Sequence, residues 1–340
     1  MSRKATAQDV ADLAGVSRSA VSLVLNGRAK GNISEAKQQA VIEAAARLEY
    51  TPNAVAQGLR TSRTRTLGVL TWRGLGGLPL HLIASALQTS LDAGYVLLKM
   101  YAEPTEIDQH RALAALGNRQ VDGLLVVAPE LCDYQPVETM SLSPVVLLNC
   151  EDVGHQLPCV VPDEEEAGAL AAQVLLDRGH REIGLLAGHL DHGQTARRVE
   201  GVRRALAAAG VAPPATRSTD VRVDAGLAAA SGLLTQERPP TALVCTNERL
   251  AVGAVVAAAQ LHLSVPGDLS LVSLDDREEL AAQLSPALTR VERPDQLMAA
   301  HAAELLIESL GAGSGLGAHR YTFVCPLVEG GSVAAPAPRR

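Results

Sequence analysis

The stretch Thr6–Gly27 constrains this chain more than any other, because it reads as two short helices broken at Gly15. Thr6 can N-cap the first helix, with Asp9 three residues on in capping-box position. Val10, Leu13 and Ala14 line one helical face. Gly15 ends that helix cheaply, since only glycine enters left-handed geometry without steric cost. Ser17 caps the second helix, whose Val16, Ala20, Val21, Val24 and Leu25 form one apolar stripe. The other face offers Arg18, Ser19 and Ser22, with Asn26 and Arg28 near the end. Two helices joined by a tight glycine turn, the second exposing arginine and hydroxyls, describe a helix-turn-helix, which lays its second helix in the major groove. For the hairpin alone, an amphipathic pair with a solvated polar face is the plainer alternative.

The residues beyond Gly27 argue against that alternative. Ser34 caps a third helix whose Val41, Ala45 and Leu48 recur at helical spacing and close a three-helix core. Pro52 then breaks the chain before Asn53–Thr61, a segment too short and, with Gly58, too weak in propensity to be a stable isolated helix. It is expected to order on meeting DNA and a second copy of the chain.

Several motifs here carry a resemblance: Gly15-Val16-Ser17, Val21-Ser22, Leu25-Asn26-Gly27, Pro52-Asn53-Ala54-Val55-Ala56, Leu59-Arg60-Thr61 and Thr66-Leu67-Gly68-Val69. In order and spacing the chain resembles the lactose/galactose repressor family. The resemblance implies a homodimeric transcriptional repressor that binds a palindromic operator and answers to a small-molecule effector, with no cofactor. It places DNA contacts at Thr6, Ser17, Arg18, Ser19, Ser22, Asn26, Asn53, Ala56, Leu59 and Arg60. Leu59 would wedge apart a base step in the minor groove. Leu23 stands where many members have arginine.

Charge divides along the chain. Residues 1–65 hold ten Lys/Arg and five Asp/Glu, a net of +5, and the remainder holds 20 against 32, a net of −12. A basic head concentrates phosphate attraction while an acidic body discourages clinging to DNA. No apolar run reaches the ~18 residues of a membrane helix. The first residues lack the apolar region of a signal peptide, and the five scattered cysteines suit a reduced compartment, so a cytoplasmic location is expected.

From Thr66 apolar strands alternate with amphipathic helices, the mark of a parallel α/β body. Two such series imply two doubly wound lobes. The expected division is 1–51 for the helix-turn-helix domain and 52–65 for a hinge helix and linker. Residues 66–161 with 292–319 make the first lobe, 162–291 with 320–330 the second, and 331–340 a tail.

Ligands in such lobes sit at the carboxyl ends of strands. Trp72, after the first strand, either stacks on a ligand or packs against the neighbouring lobe. The loop after it, Gly74–His81, departs from the family's usual run, so first-lobe contacts do not transfer. Asp163 matches the acidic residue that opens the second lobe. Arg198 falls where the family places its effector-binding arginine, with Arg197 one residue away, and the plainer reading is a surface salt bridge. Asn247 either bonds ligand or caps a helix. Asp275, in Ser273-Leu274-Asp275-Asp276, matches the effector-binding aspartate. Val221 follows Asp220 where many members carry a stacking aromatic. His189, Asp191 and His192 are read as loop residues rather than metal ligands. The acidic run Glu164–Glu166 opens a helix and is read as a favourable partner of its dipole. No catalytic motif is present. A transporter's solute-binding protein would share the lobes but has no use for a helix-turn-helix, and an effector-independent DNA binder is the third reading.

Overall fold

The expected capping box at the start of the first helix forms. In the computed structural model, Thr6 accepts from the Asp9 backbone and the Asp9 carboxylate accepts from the Thr6 N–H at 2.7 Å. The structure describes residues 5–25, 27, 29–51, 63–74, 78–103, 105–137, 144–275, 280–312 and 316–338. They fall into two units, Met1–Thr64 and Arg65–Arg340.

In the first unit α1 (Ala7–Ala14) ends at Gly15, whose φ of +65° is the left-handed cap expected of glycine there. Helices α2 (Arg18–Leu25) and α3 (Glu35–Arg47) follow. Val10, Ala11, Val21, Val41, Ala44 and Ala45 make the core. Leu13 is 45% exposed, so the buried face of α1 runs through Ala11 instead. Eight residues are two turns, and a helix that short leaves the angle of its face loosely determined. Ser34 stands at the N-cap of α3 but makes no side-chain capping bond.

The second unit holds two six-stranded sheets. The first is built on β1 (Thr66–Thr71), α4 (Leu80–Asp92), β2 (Val96–Tyr101), α5 (Glu106–Asn118), β3 (Gly123–Tyr134), β4 (Val145–Asp152) and β5 (Cys159–Pro162). Then come α6 (Glu164–Asp177), β6 (Ile183–Ala187), α7 (Gly193–Ala208), β7 (Ala215–Ser218), α8 (Val223–Leu234), β8 (Ala242–Cys245) and α9 (Glu248–Gln260). The chain closes with β9 (Ser270–Leu274), α10 (Leu280–Gln283), β10 (Thr289–Val291), α11 (Asp295–Ala312), β11 (Arg320–Phe323) and β12 (Leu327–Val328). The strand orders are β11-β5-β4-β3-β1-β2 and β12-β10-β9-β8-β6-β7. Among the described residues every pairing is parallel except that of β10 with β12. Each sheet is buried on both faces, as a parallel sheet covered by helices requires.

Two expectations about chain allocation need correction. Residues 320–330 do not all belong to the second lobe: β11 pairs with β5 in the first sheet, and only β12 joins the second. The crossing falls at Val324–Pro326, between the two strands. Nor are residues 331–338 a loose tail. Ser332 is fully buried, donates to the Leu271 carbonyl at 2.6 Å and accepts from the Thr289 N–H at 2.8 Å. Strand β7 ends at Ser218, which leaves Asp220 and Val221 in the turn beyond it.

Candidate functional site

In the head, Ser17, Arg18 and Ser19 are exposed on the first turn of α2, and Ser22 is half-buried. The Ser17 hydroxyl accepts from the Ala20 N–H at 3.2 Å and lies 2.8 Å from the Ser19 hydroxyl, so a cap and a polar surface share the same turn. Thr6, at the N-cap of α1, is exposed and held by Asp9. Asn26, Asn53, Ala56, Leu59 and Arg60 lie outside the described residues.

In the body, α6 and α7 touch backbone to backbone. A Cβ on Gly168 would stand 2.0 Å from the Arg198 carbonyl oxygen, and one on Gly201 would stand 1.8 Å from that of Glu165. This close approach brings Glu164 to Arg198, both almost wholly buried. Arg198 Nε donates to Glu164 Oε2 at 2.5 Å, Nη2 to Oε1 at 2.9 Å, and Nη1 to the Thr246 carbonyl at 2.7 Å. Asp275 Oδ2 lies 4.0 Å from Arg198 Nη2. Burial works against the charge on Arg198, but Glu164 and Asp275 outweigh it and its pKa is raised. Asp275 ends β9 with φ +75°, a left-handed conformation that costs energy for any residue but glycine and that recurs at functional sites.

Beyond Asp275 stands a second buried arginine. Arg293 follows β10 and forks onto Asp295, with Nε to Oδ1 and Nη2 to Oδ2 at 2.8 Å. Its Nη1 has no hydrogen-bond partner among the described residues. Asp275 and Arg293 line a cavity of about 530 Å³ with Gln283, Arg290 and Glu292, and with His81 and Leu297 from the first lobe. Its walls therefore come from both lobes and, at Pro326, from the crossing segment between β11 and β12.

On other elements the lobes are tied by polar contacts. Glu151, at the end of β4, accepts from Arg197 Nη1 and Nη2 at 3.0 and 2.6 Å and from Arg320 Nε at 2.7 Å. Gln194 accepts from the Leu131 N–H at 3.1 Å, and His192 lies 3.8 Å from Glu130. Hydrogen bonding from Arg197 holds the Glu151 carboxyl down at about 2, against the opposing effect of burial and with help from Arg320. A carboxyl depressed in the folded state adds stability above its unfolded value near 4.5, and that stability is lost as pH falls towards 2. Thermal midpoints at pH 5, 4 and 3 are expected to fall more steeply for the parent chain than for Glu151→Gln. Parallel slopes would show that this tie contributes nothing.

Comparison with known proteins decides the family. Residues 6–53 match the bacterial regulatory proteins of the lacI family, and residues 172–333 match the periplasmic binding protein-like domain. The HTH-type transcriptional repressor PurR of Vibrio campbellii is 31% identical over 310 residues, spanning 90% of this chain and 92% of that protein. The chain belongs to the LacI family. Its members are DNA-binding transcriptional repressors. PurR of Aliivibrio salmonicida is 32% identical over the same length. Among solved structures, the Lac repressor dimer bound to operator and the anti-inducer ONPF matches 98% of this chain and 100% of its own, with a TM-score of 0.77 at 25% identity. The transcriptional regulator CelR–cellobiose complex matches 96% and 99%, with a TM-score of 0.68 at 26% identity.

Within this LacI-family body Arg198 and Asp275 lie together, and Asn247 directly follows Thr246, whose carbonyl accepts from Arg198. Trp72 is 7% exposed, in the first-lobe core, with its ring stacked on Tyr134 at 5.8 Å. Its face is spent on packing within its own lobe. Asn247 caps α9, accepting from the Arg249 N–H at 2.8 Å. Arg197 and Arg198, adjacent in sequence, separate by helix rotation, one across the lobes and the other inward. Glu164 is no general partner of a helix dipole, since the buried Arg198 fork is its specific partner. Glu165 and Glu166 pair with Arg204 on the surface. His189 is paired with Asp220 at 2.7 Å. Sequence reasoning passed over Arg293 and Glu151. An arginine before a proline just beyond a strand was the available signal for Arg293, but β10 is only three residues long.

Proposed function

We propose that this repressor acts in the cytoplasm as a homodimer on a palindromic operator, and that a small molecule held between the lobes sets its operator affinity. The observation that carries the effector reading is the cavity between the lobes, bordered by Asp275 and the buried Arg293. Its volume lies within the roughly 300–1,000 Å³ usual for small-molecule sites. Dimerisation is supported by an apolar stripe on α4, where Leu80, Leu87 and Leu91 are exposed, and by Val96 on the edge strand β2. Such a patch on a surface marks an interaction site. Residues 1–51 serve as the DNA reader and 52–65 as the hinge, with Asn53, Ala56, Leu59 and Arg60 at the minor groove. Residues 66–161 with 292–323 are assigned to the first lobe and 162–291 with 327–338 to the second.

Arg18 and Ser19, exposed at the start of α2, are assigned to base edges. An arginine bidentate to guanine is worth ~1–3 kcal/mol of discrimination. Arg18→Ala is therefore expected to relax preference at one position of each half-site in a selection from randomised operators. An unchanged preference rejects the assignment.

One observation favours a second reading, an effector-independent repressor: the fork of Arg198 is already filled by Glu164. Footprinting on DNA beside the protein's own gene, repeated with candidate sugars, nucleosides and organic acids, separates the two. Protection that no compound alters supports effector independence.

A further inference from the structure

Two buried guanidiniums flank Asp275, and they differ in what remains of their hydrogen-bonding capacity. Arg198 uses all three of its nitrogens within the second lobe, on Glu164 and the Thr246 carbonyl. Three of its five N–H donors are spent in this way, so a ligand oxygen at Arg198 shares Nη1 or Nη2 with the Thr246 carbonyl or the Glu164 carboxylate. Arg293 is different. Its side chain is 1% exposed, Nε and Nη2 are taken by Asp295, and Nη1 is unpartnered among the described residues. A buried N–H left without an acceptor costs the full desolvation of the group, and native structures rarely keep one without a use. Arg293 also lines the inter-lobe cavity, which Arg198 does not.

We propose that Arg293 meets the effector, donating from Nη1 to an oxygen of a small polyhydroxylated, non-aromatic molecule whose neighbouring hydroxyl donates to Asp275. The proposal rests on the effector reading above and names the ligand's chemistry. A hydroxyl both donates and accepts, so adjacent hydroxyls satisfy an arginine donor and a carboxylate acceptor side by side. The charge of the walls agrees. Asp275, Glu292 and Asp295 face Arg290 and Arg293, an excess of one negative charge that disfavours a phosphate most and suits a neutral polyol best. No Phe, Tyr or Trp is among the described lining residues, and Trp72 is stacked on Tyr134, so a flat base finds no platform there. Neutral sugars and sugar acids share the required pair of hydroxyls, and the experiment separates them.

Thermal shifts of the full chain are measured with a panel of neutral mono- and disaccharides, sugar acids such as D-gluconate, and purine nucleosides. The compound giving the largest shift is then titrated calorimetrically into the parent, Arg293→Gln, and Arg293→Gln with Asp295→Asn. The double variant removes both members of the Arg293–Asp295 pair, so it serves if the single variant fails to fold. The expected result is a sugar or sugar acid whose affinity falls roughly 10- to 100-fold in the variants, the loss of one hydrogen bond to a charged donor. A compound that binds the variants as tightly as the parent overturns the proposal and leaves the effector reading standing. So does a purine nucleoside as the tightest ligand. A panel in which nothing binds the parent overturns both.

Discussion

Glu164→Ala is expected to destabilise the body by about 3–5 kcal/mol, the usual cost of removing one partner from a buried ion pair. The cause is what stays behind. Arg198 is 2% exposed, and two of its three bonds end on the Glu164 carboxylate. Without that carboxylate, a guanidinium keeps its charge in a low-dielectric site with only the Thr246 carbonyl and, at 4.0 Å, Asp275. Glu164→Gln preserves shape and one acceptor and is expected to lose less. Replacing the pair together, Glu164→Leu with Arg198→Met, removes the penalty along with the attraction and is expected to fall within about 1–2 kcal/mol of the parent, since apolar substitutes for buried ion pairs are often neutral. Urea midpoints followed by far-UV circular dichroism decide it. If the single variant is no less stable than the double, then Arg198 is not held by Glu164.

The same pair shows where local sequence runs out. Glu164, Glu165 and Glu166 are alike in sequence and all three suit a helix start. Only the rotation of α6 against α7 sends the first inward to Arg198 and leaves the other two at the surface with Arg204. That rotation is decided by packing between elements more than 30 residues apart, which no local pattern reports. The capping box of Thr6 and Asp9, and the left-handed Gly15, were legible because both are closed within a few residues. The α/β alternation of the body was legible for the same reason: period and turn chemistry are local. The place of β11 was not, because its partner β5 lies about 160 residues away and a four-residue strand suits either sheet. Arg198 and Asp275 were found by resemblance, whereas Arg293 and Glu151 carry no motif and become visible only through burial and contact. Trp72 was open to two readings in sequence, since strand ends carry both ligand contacts and core aromatics, and its stacking on Tyr134 favours the core.

Helix glycines give a sharper test of that packing, because two of them are expected to respond to the same substitution with opposite signs. Alanine is favoured over glycine inside a helix by about 1 kcal/mol. Gly232 lies in α8 with nothing within 4 Å of where a Cβ would stand, so Gly232→Ala is expected to stabilise the body by about 0.4–1 kcal/mol. Gly201 lies in α7, and its Cβ would stand 1.8 Å from the Glu165 carbonyl and 2.8 Å from the Ala169 nitrogen. These are backbone atoms of a helix and cannot rotate away as a side chain would. To admit one methyl group, α6 must withdraw by more than an ångström over its first turns, and Glu164 is carried away from Arg198. The cost of overpacking, ~1–3 kcal/mol or more, is then joined by the weakening of a buried ion pair, and together they exceed the gain in propensity. Gly201→Ala is accordingly expected to lower stability by at least ~3 kcal/mol and to abolish any response to a ligand in the cleft. Thermal midpoints of the two variants, read side by side, test this. A Gly201→Ala chain as stable as Gly232→Ala would mean that α6 and α7 do not meet backbone to backbone, and the placement of Arg198 beside Glu164 and Asp275 would fall with that contact.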